Sequence, residues 1–555
     1  MAKHTLIEGL KNLPAADKLL LKLCFGTALL ALALGVVFGA VTAFARAGFI
    51  ELTPLNGYRL MTLHGVNIFF YWLYFAQAGL LLVLTSVYTE GASRIAWRSL
   101  AGTGLVTMLA GFISSTYAAT AGLPLLYDAP PQLAETPSLE AGAFYLGYLL
   151  LGAGLFCVAT AAIATALKPR LQGEIVDWPV VSFASVAWAG LLMVSAVAAV
   201  NAFLPAARWA FGFAPLPADY STGWMILFHN MHYLPLMATV LIWYVLVEAV
   251  SGVKSIYGPR FSKIVFSIYL IFVPPTSLYH MFLEPTLAEP MRVLGSLLSL
   301  FISVPTVLVF LVIVSSLEVH ARAHGARGLF GWIHELPWRN PAMAAMGMAV
   351  INLALGGSFS FVLIQEKLAA LLSDTFFVPG YFHFLTVGTV TLTFLAALSY
   401  VIPGLTGRAL WRPRILTLLP YLVTIGLALF GVAGIIGGYL GIPRRTLHVS
   451  YAGQAPGVWP MLMTVVGTGG AIMALALLTY LFGLLRTLLP GISQPLPQNG
   501  GLPVVDWGGI VPSREQAWVG PLAVVILVGT MALFTALAFE MIQALPLLTT
   551  GAGSR

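Results

Sequence analysis

Five histidines of this 555-residue chain fall inside strongly apolar stretches: His64, His229, His232, His280 and His383. An ionisable ring in such surroundings is costly and usually functional. Imidazole is a ligand for heme iron, copper and zinc. Taken singly, each could be a lone hydrogen-bonded core histidine; five together call for another explanation. One of them lies in FVPGYFHFLT (377–386), two positions after Tyr381. If His383 binds a metal, Tyr381 is a second ligand, a replacement for one, or core packing.

The elements that must position these side chains are membrane helices. The chain is 59% hydrophobic and 8% charged, far below the ~25% charged residues of a soluble domain. Thirteen apolar spans are expected, at about 15–45, 58–87, 99–122, 141–167, 179–206, 222–250, 262–283, 293–317, 341–365, 376–403, 414–438, 459–485 and 518–545. Lipid cannot satisfy an open backbone, so the spans are helices, and the alternating pattern of a barrel is absent. The fold expected is an all-α bundle of about thirteen transmembrane helices forming a single domain over 1–555, with a Pro/Gly-rich loop at 490–509 before the last helix.

The N-terminus and the loops after even-numbered spans hold nineteen of the 27 Lys and Arg residues, which places the N-terminus in the cytoplasm of a multi-pass plasma-membrane protein. The net charge of +7 follows from this bias and does not point to nucleic acid. With that topology, His64, His229, His232, His280 and His383 all sit in the outer third of the membrane. Histidines at one level of a helix bundle make a heme or metal site. His4, His320, His324 and His334 fall in cytoplasmic segments, and His448 in an outer loop. Arg444 and Arg445 lie together in the outer loop before the twelfth span, where paired guanidinium groups suit a propionate-bearing cofactor; an ordinary interfacial pair is the plainer alternative. Cys24 and Cys157, the two cysteines, suggest neither a disulfide framework nor a thiolate site, and no C-x-x-C-H motif is present. The first span lacks a cleavage motif and is read as a retained helix. No internal repeat is evident.

The stretches LMTLHGVNIFFYWLYFAQ (60–77), HNMHYLPL (229–236), PTSLYHMFLEP (275–285), LFISVPTVLVF (300–310), GLFGWIHELPWRNPAM (328–343), FVPGYFHF (377–384) and IPRR (442–445) resemble subunit I of the heme–copper oxidases, most closely the B-type terminal oxidases. They fall in family order over the second to twelfth helices. The resemblance implies a low-spin heme, read here as b-type, held by His64 and His383, with Arg444 and Arg445 at its propionates. It also implies an H-x-x-x-Y element, His229 and Tyr233, in which the histidine ligates copper and the tyrosine is cross-linked to it. His232 is an extra histidine, either a substitute ligand or a polar neighbour. Tyr244 and Thr306 match a cytoplasmic proton path leading to Tyr233, whereas Val309 stands where a further hydroxyl is expected. Glu284 is a nearby acid.

Three parts of the expected high-spin site depart from the family. Tyr279–His280 replaces a pair of copper-binding histidines. Tyr381 occupies the position of the high-spin heme's proximal histidine. Ala369 and Ser373 stand where polar residues meet that heme's propionates. Tyrosine can ligate heme iron, as in catalase, but as a phenolate it needs a cation or the metal to stabilise it. The high-spin heme and copper centre is therefore altered or lost, with loss favoured.

The resemblance implies a respiratory oxidoreductase that carries electrons through the low-spin heme towards O2, coupled to proton uptake; NO is the nearer alternative substrate. A second reading is an electron-transfer or assembly subunit without the usual high-spin heme and copper. A heme-free transporter would leave His64, His383 and the arginine pair without a purpose. The outer loops hold no copper-binding domain, so electrons would come from a subunit II-like partner or another redox subunit.

Overall fold

The computed structural model describes residues 5–92, 94–122, 125, 137–217, 220–274, 289–363, 366–448, 453–491, 494–497, 500–509 and 520–543. The architecture is a helical bundle, as expected, with no strand among the described residues beyond two isolated bridges, Thr375 with Pro443 and Arg408 with Pro495. In chain order the long helices are α1 Ala15–Arg46, α2 Pro54–Tyr88, α3 Arg98–Ala121, α4 Leu139–Leu171, α5 Val180–Ala210, α6 Tyr220–Ser251, α7 Gly258–Phe272, α8 Glu289–Ala323, α9 Pro341–Leu363, α10 Phe377–Thr406, α11 Pro413–Tyr439, α12 Val458–Leu488 and α13 Pro521–Gln543.

Eleven helices among the described residues are long and apolar enough to cross a membrane, and the chain is a multi-pass membrane protein. The expected spans at 262–283 and 518–545 overlap α7 and α13, with 275–283, 518–519 and 544–545 lying outside the described residues. Their described apolar parts are shorter, fifteen residues in α7 and Pro521–Leu533 in α13. One boundary differs from expectation. The eighth span was expected to end near 317; α8 runs on to Ala323, and His320 within it is buried, its Nδ1 donating to the Ser316 carbonyl at 2.7 Å. No helix breaker intervenes before Gly325.

The most enclosed helices are α2 and α10, which carry His64 and His383. Thr53 caps α2, accepting from the Asn56 amide at 3.4 Å, and Pro54 occupies the first turn. Both helices widen just past their histidine into π-helical segments, Val66–Trp72 in α2 and Phe384–Thr391 in α10. The first turn of α10 lies directly on α11. A Cβ on Gly380 would stand 2.9 Å from the Gly431 carbonyl oxygen and 2.7 Å from the Ile435 nitrogen, so glycine alone permits that approach.

Buried charges tie the bundle together on the other side. Asp17 accepts from the Ile95 amide at 2.9 Å. Glu318 on α8 is fully buried and accepts from Arg322 at 2.8 and 3.1 Å and from the Leu522 and Ala523 amides at 3.2 Å each. Glu318 thereby holds the N-terminus of α13, where orphan amides and the helix dipole favour a carboxylate.

Candidate functional site

One cavity of about 1280 Å³ runs between α1, α2, α6, α8, α9, α10, α12 and α13. It exceeds the roughly 300–1,000 Å³ of an ordinary ligand pocket. Most of the residues singled out in the sequence line it: His64, His232, Tyr233, Thr306, Ala369, Ser373, Tyr381, His383, Arg444 and Arg445.

His64 and His383 face each other across this space, with ring centroids 6.1 Å apart and planes within 11° of parallel. Each ring is fixed from behind. The Nδ1–H of His64 donates to the Gly35 carbonyl at 2.8 Å, and that of His383 donates to the Pro379 carbonyl at 2.7 Å. A carbonyl only accepts, so each Nδ1 carries the proton and each Nε2 keeps its lone pair for a metal. A metal midway between the rings would be about 3 Å from each centroid, which is the sum of a ~2 Å metal–nitrogen bond and roughly 1 Å from nitrogen to ring centre. The spacing, the parallel planes and the tautomers all fit a bis-imidazole iron.

The surroundings hold that pair. Gly39 of α1 lies against His64; a Cβ there would be 2.5 Å from Nδ1. Phe430 of α11 packs on His383 at 4.5 Å between centroids. Above the pair, residues 374–376 run beside 442–444. The Phe376 amide donates to the Ile442 carbonyl at 2.7 Å, and the Arg444 amide donates to the Asp374 carbonyl at 3.0 Å. The Arg444 guanidinium also pairs with the Asp374 carboxylate at 3.1 Å. Arg46, at the end of α1, joins this layer: it is buried, donates to the Arg444 carbonyl and lies over the Phe376 ring at 5.0 Å. Three guanidinium groups, Arg46, Arg444 and Arg445, thus line one end of the cavity.

The second part of the cavity is different in kind. Tyr381 is 8% exposed and packs against Phe377 and Phe382 at 5.9 and 6.3 Å. His232 is wedged edge-on between Phe69 at 4.8 Å and Phe382 at 5.0 Å. Ser373, just past the short helix Glu366–Leu372, donates its hydroxyl back to the Ala369 carbonyl at 2.6 Å. No set of three His, Cys, Asp or Glu side chains converges on a metal position among the described residues. Tyr279, His280 and Glu284 lie outside the described residues, as does the side chain of His229.

Hydroxyl pairs lie between α6, α7 and α8. The Tyr269 hydroxyl and Thr306 Oγ1 are 2.7 Å apart, and Thr306 reaches the cavity wall. Tyr244 and Ser262 hydrogen-bond at 3.1 Å, with Ser255 a further 3.4 Å on. Tyr244 and Thr306 were identified from sequence. Ser255, Ser262 and Tyr269 were not, because isolated hydroxyl residues on a helix carry no signal until their neighbours are known. Val309 is buried.

These features match known proteins. A profile described as cytochrome C and quinol oxidase polypeptide I covers residues 20–473. Cytochrome c oxidase subunit 1 of Thermus thermophilus is 29% identical over 508 residues, 86% of each chain. The heme-copper oxidase subunit I+III of Aeropyrum pernix is 25% identical over 83% of this chain, which spans about half (51%) of that longer relative. A cryo-EM structure of a heme-copper terminal oxidase dimer superposes with a TM-score of 0.80 over 92% of this chain and 90% of that one, at 21% identity, a likeness of fold. With the profile covering most of the chain, and the bundle and facing histidines in place, the protein belongs to the cytochrome c and quinol oxidase polypeptide I family.

Proposed function

We propose that this chain is a divergent subunit I of a respiratory oxidase-like complex in the plasma membrane, its N-terminus cytoplasmic and its helices forming one domain. It passes electrons through a low-spin b-type heme held by His64 and His383 towards reduction of O2, with NO as the nearer alternative. The observation that carries the proposal is the 6.1 Å, near-parallel pairing of the two rings with both Nδ1 atoms tied to backbone carbonyls. A heme bound there would supply a one-electron iron couple.

The chain's own residues do the rest. Gly35 and Pro379 fix the rings. Arg444 and Arg445, backed by Arg46, neutralise the propionates. Tyr244, Tyr269 and Thr306 offer hydroxyls to a proton moving from the cytoplasm towards Tyr233. His229, His232, Tyr279 and His280 are the candidates for a second metal. Electrons enter from a subunit II-like partner on the outer face.

A second reading, a heme-binding electron-transfer or assembly subunit without high-spin heme and copper, is favoured by one feature. Tyr381 stands at the proximal position, and His232 beside it is enclosed by phenylalanine rings.

Purified protein separates the two. Pyridine hemochrome analysis, iron and copper content and a reduced-plus-CO difference spectrum would be recorded. Two hemes with a CO-sensitive band and a second metal support catalysis. One heme, no CO shift and no copper support the electron-transfer reading. No heme at all sinks both.

A further inference from the structure

The two π-helical segments have matching layouts. Trp72 closes one and Thr391 closes the other, and each lies eight residues beyond its histidine, His64 or His383. Their side chains meet: the Trp72 indole N–H donates to Thr391 Oγ1 at 3.0 Å. Trp72 is fully buried and Thr391 is 1% exposed. Helices α2 and α10 therefore run parallel and approach at two levels, once at the facing histidines and again up to ~12 Å deeper. Thr391 lines the cavity, so this bond forms part of its floor.

A π segment replaces i→i+4 bonds with wider i→i+5 bonds and is seldom sustained beyond a single turn. Two such runs, each starting within two residues of a metal-binding candidate, leave the pitch of the preceding turn to be set by contacts outside the helix. On α10 those contacts are indoles. Thr391 takes Trp72 from α2, and Thr393 takes the Trp243 N–H from α6 at 2.8 Å.

We propose that Trp72 and Thr391 are positioning residues: their hydrogen bond keeps the two π segments in register and so holds the His64 and His383 rings near parallel. This rests on the bis-histidine heme reading. Parallel rings both interact with the same iron d orbital and give a rhombic low-spin ferric EPR signal. Rings rotated apart give a more axial signal with a higher maximal g value.

The experiment is low-temperature EPR of the oxidised, purified protein, with heme content measured on the same samples. W72F and T391V are expected to keep their heme while the maximal g value rises and the line broadens. T391S, which retains the hydroxyl, should keep the wild-type signal. W188F is the control, since it removes another buried indole bonded to α2, to Gln77 at 3.2 Å, without touching α10. If W72F fails to accumulate, T391V decides, because it preserves volume. Unchanged spectra in T391V and W72F with heme retained overturn the proposal, as does an equal shift in W188F. A wild type without a bis-imidazole signal fails at the heme reading itself.

Discussion

His64 rests on Gly39 so closely that a single added methyl group would sit 2.5 Å from its Nδ1. The first helix thus sets the ring's position through the absence of a side chain. Gly39→Ala should displace His64 from its bond to Gly35. Heme occupancy is expected to fall at least severalfold while the fold persists. The check is heme per polypeptide by pyridine hemochrome, with circular dichroism as the control; full occupancy would mean that α1 does not constrain the ring.

Tyr381 and His383 stand on the same helical turn but face different parts of the cavity. Tyr381→Phe should leave the reduced-minus-oxidised band of the low-spin heme unchanged in height and position. A drop in that band would show that Tyr381 instead supports His383.

The Tyr269–Thr306 pair, 2.7 Å apart, tests the proton path. Tyr269→Phe removes one hydroxyl and little volume. If proton delivery passes here, turnover with an artificial reductant should slow by about a hundredfold, the lower edge of what a positioned acid–base group contributes. Heme spectra should not change. Equal rates in Y269F and wild type, measured with an oxygen or NO electrode, would remove this pair from the path.

Glu318 is fully buried and satisfies Arg322 together with two amides at the start of α13. Removing one member of a buried ionic cluster costs ~3–5 kcal/mol. Glu318→Ala should lower the melting temperature in detergent and expose the first turn of α13 to proteolysis, leaving heme content intact. A melting temperature equal to wild type would show that α13 is held otherwise.

What could be read from the sequence, and what could not, follows physical lines. The long apolar runs mark the helices because hydropathy and length are local properties. The α10 boundary needed only the apolar run after Thr375. His64 and His383 were legible because the motifs around them are dense. The π segments were not, since VNIFFYW and FLTVGTVT read as ordinary apolar helix and the wider turn is imposed by packing. Arg46 carried no signal of its own in the sequence, because its bond to the Arg444 carbonyl, 398 residues away, is created by the fold. The end of the eighth span was read near 317 because charge marks it there, yet the helix continues to Ala323.

EPR of the oxidised protein tests most directly whether one low-spin heme lies between His64 and His383. A rhombic low-spin ferric signal in the wild type that disappears in both His64→Ala and His383→Ala is the predicted result. A low-spin signal that survives in either variant, or that is absent from the wild type, would contradict it.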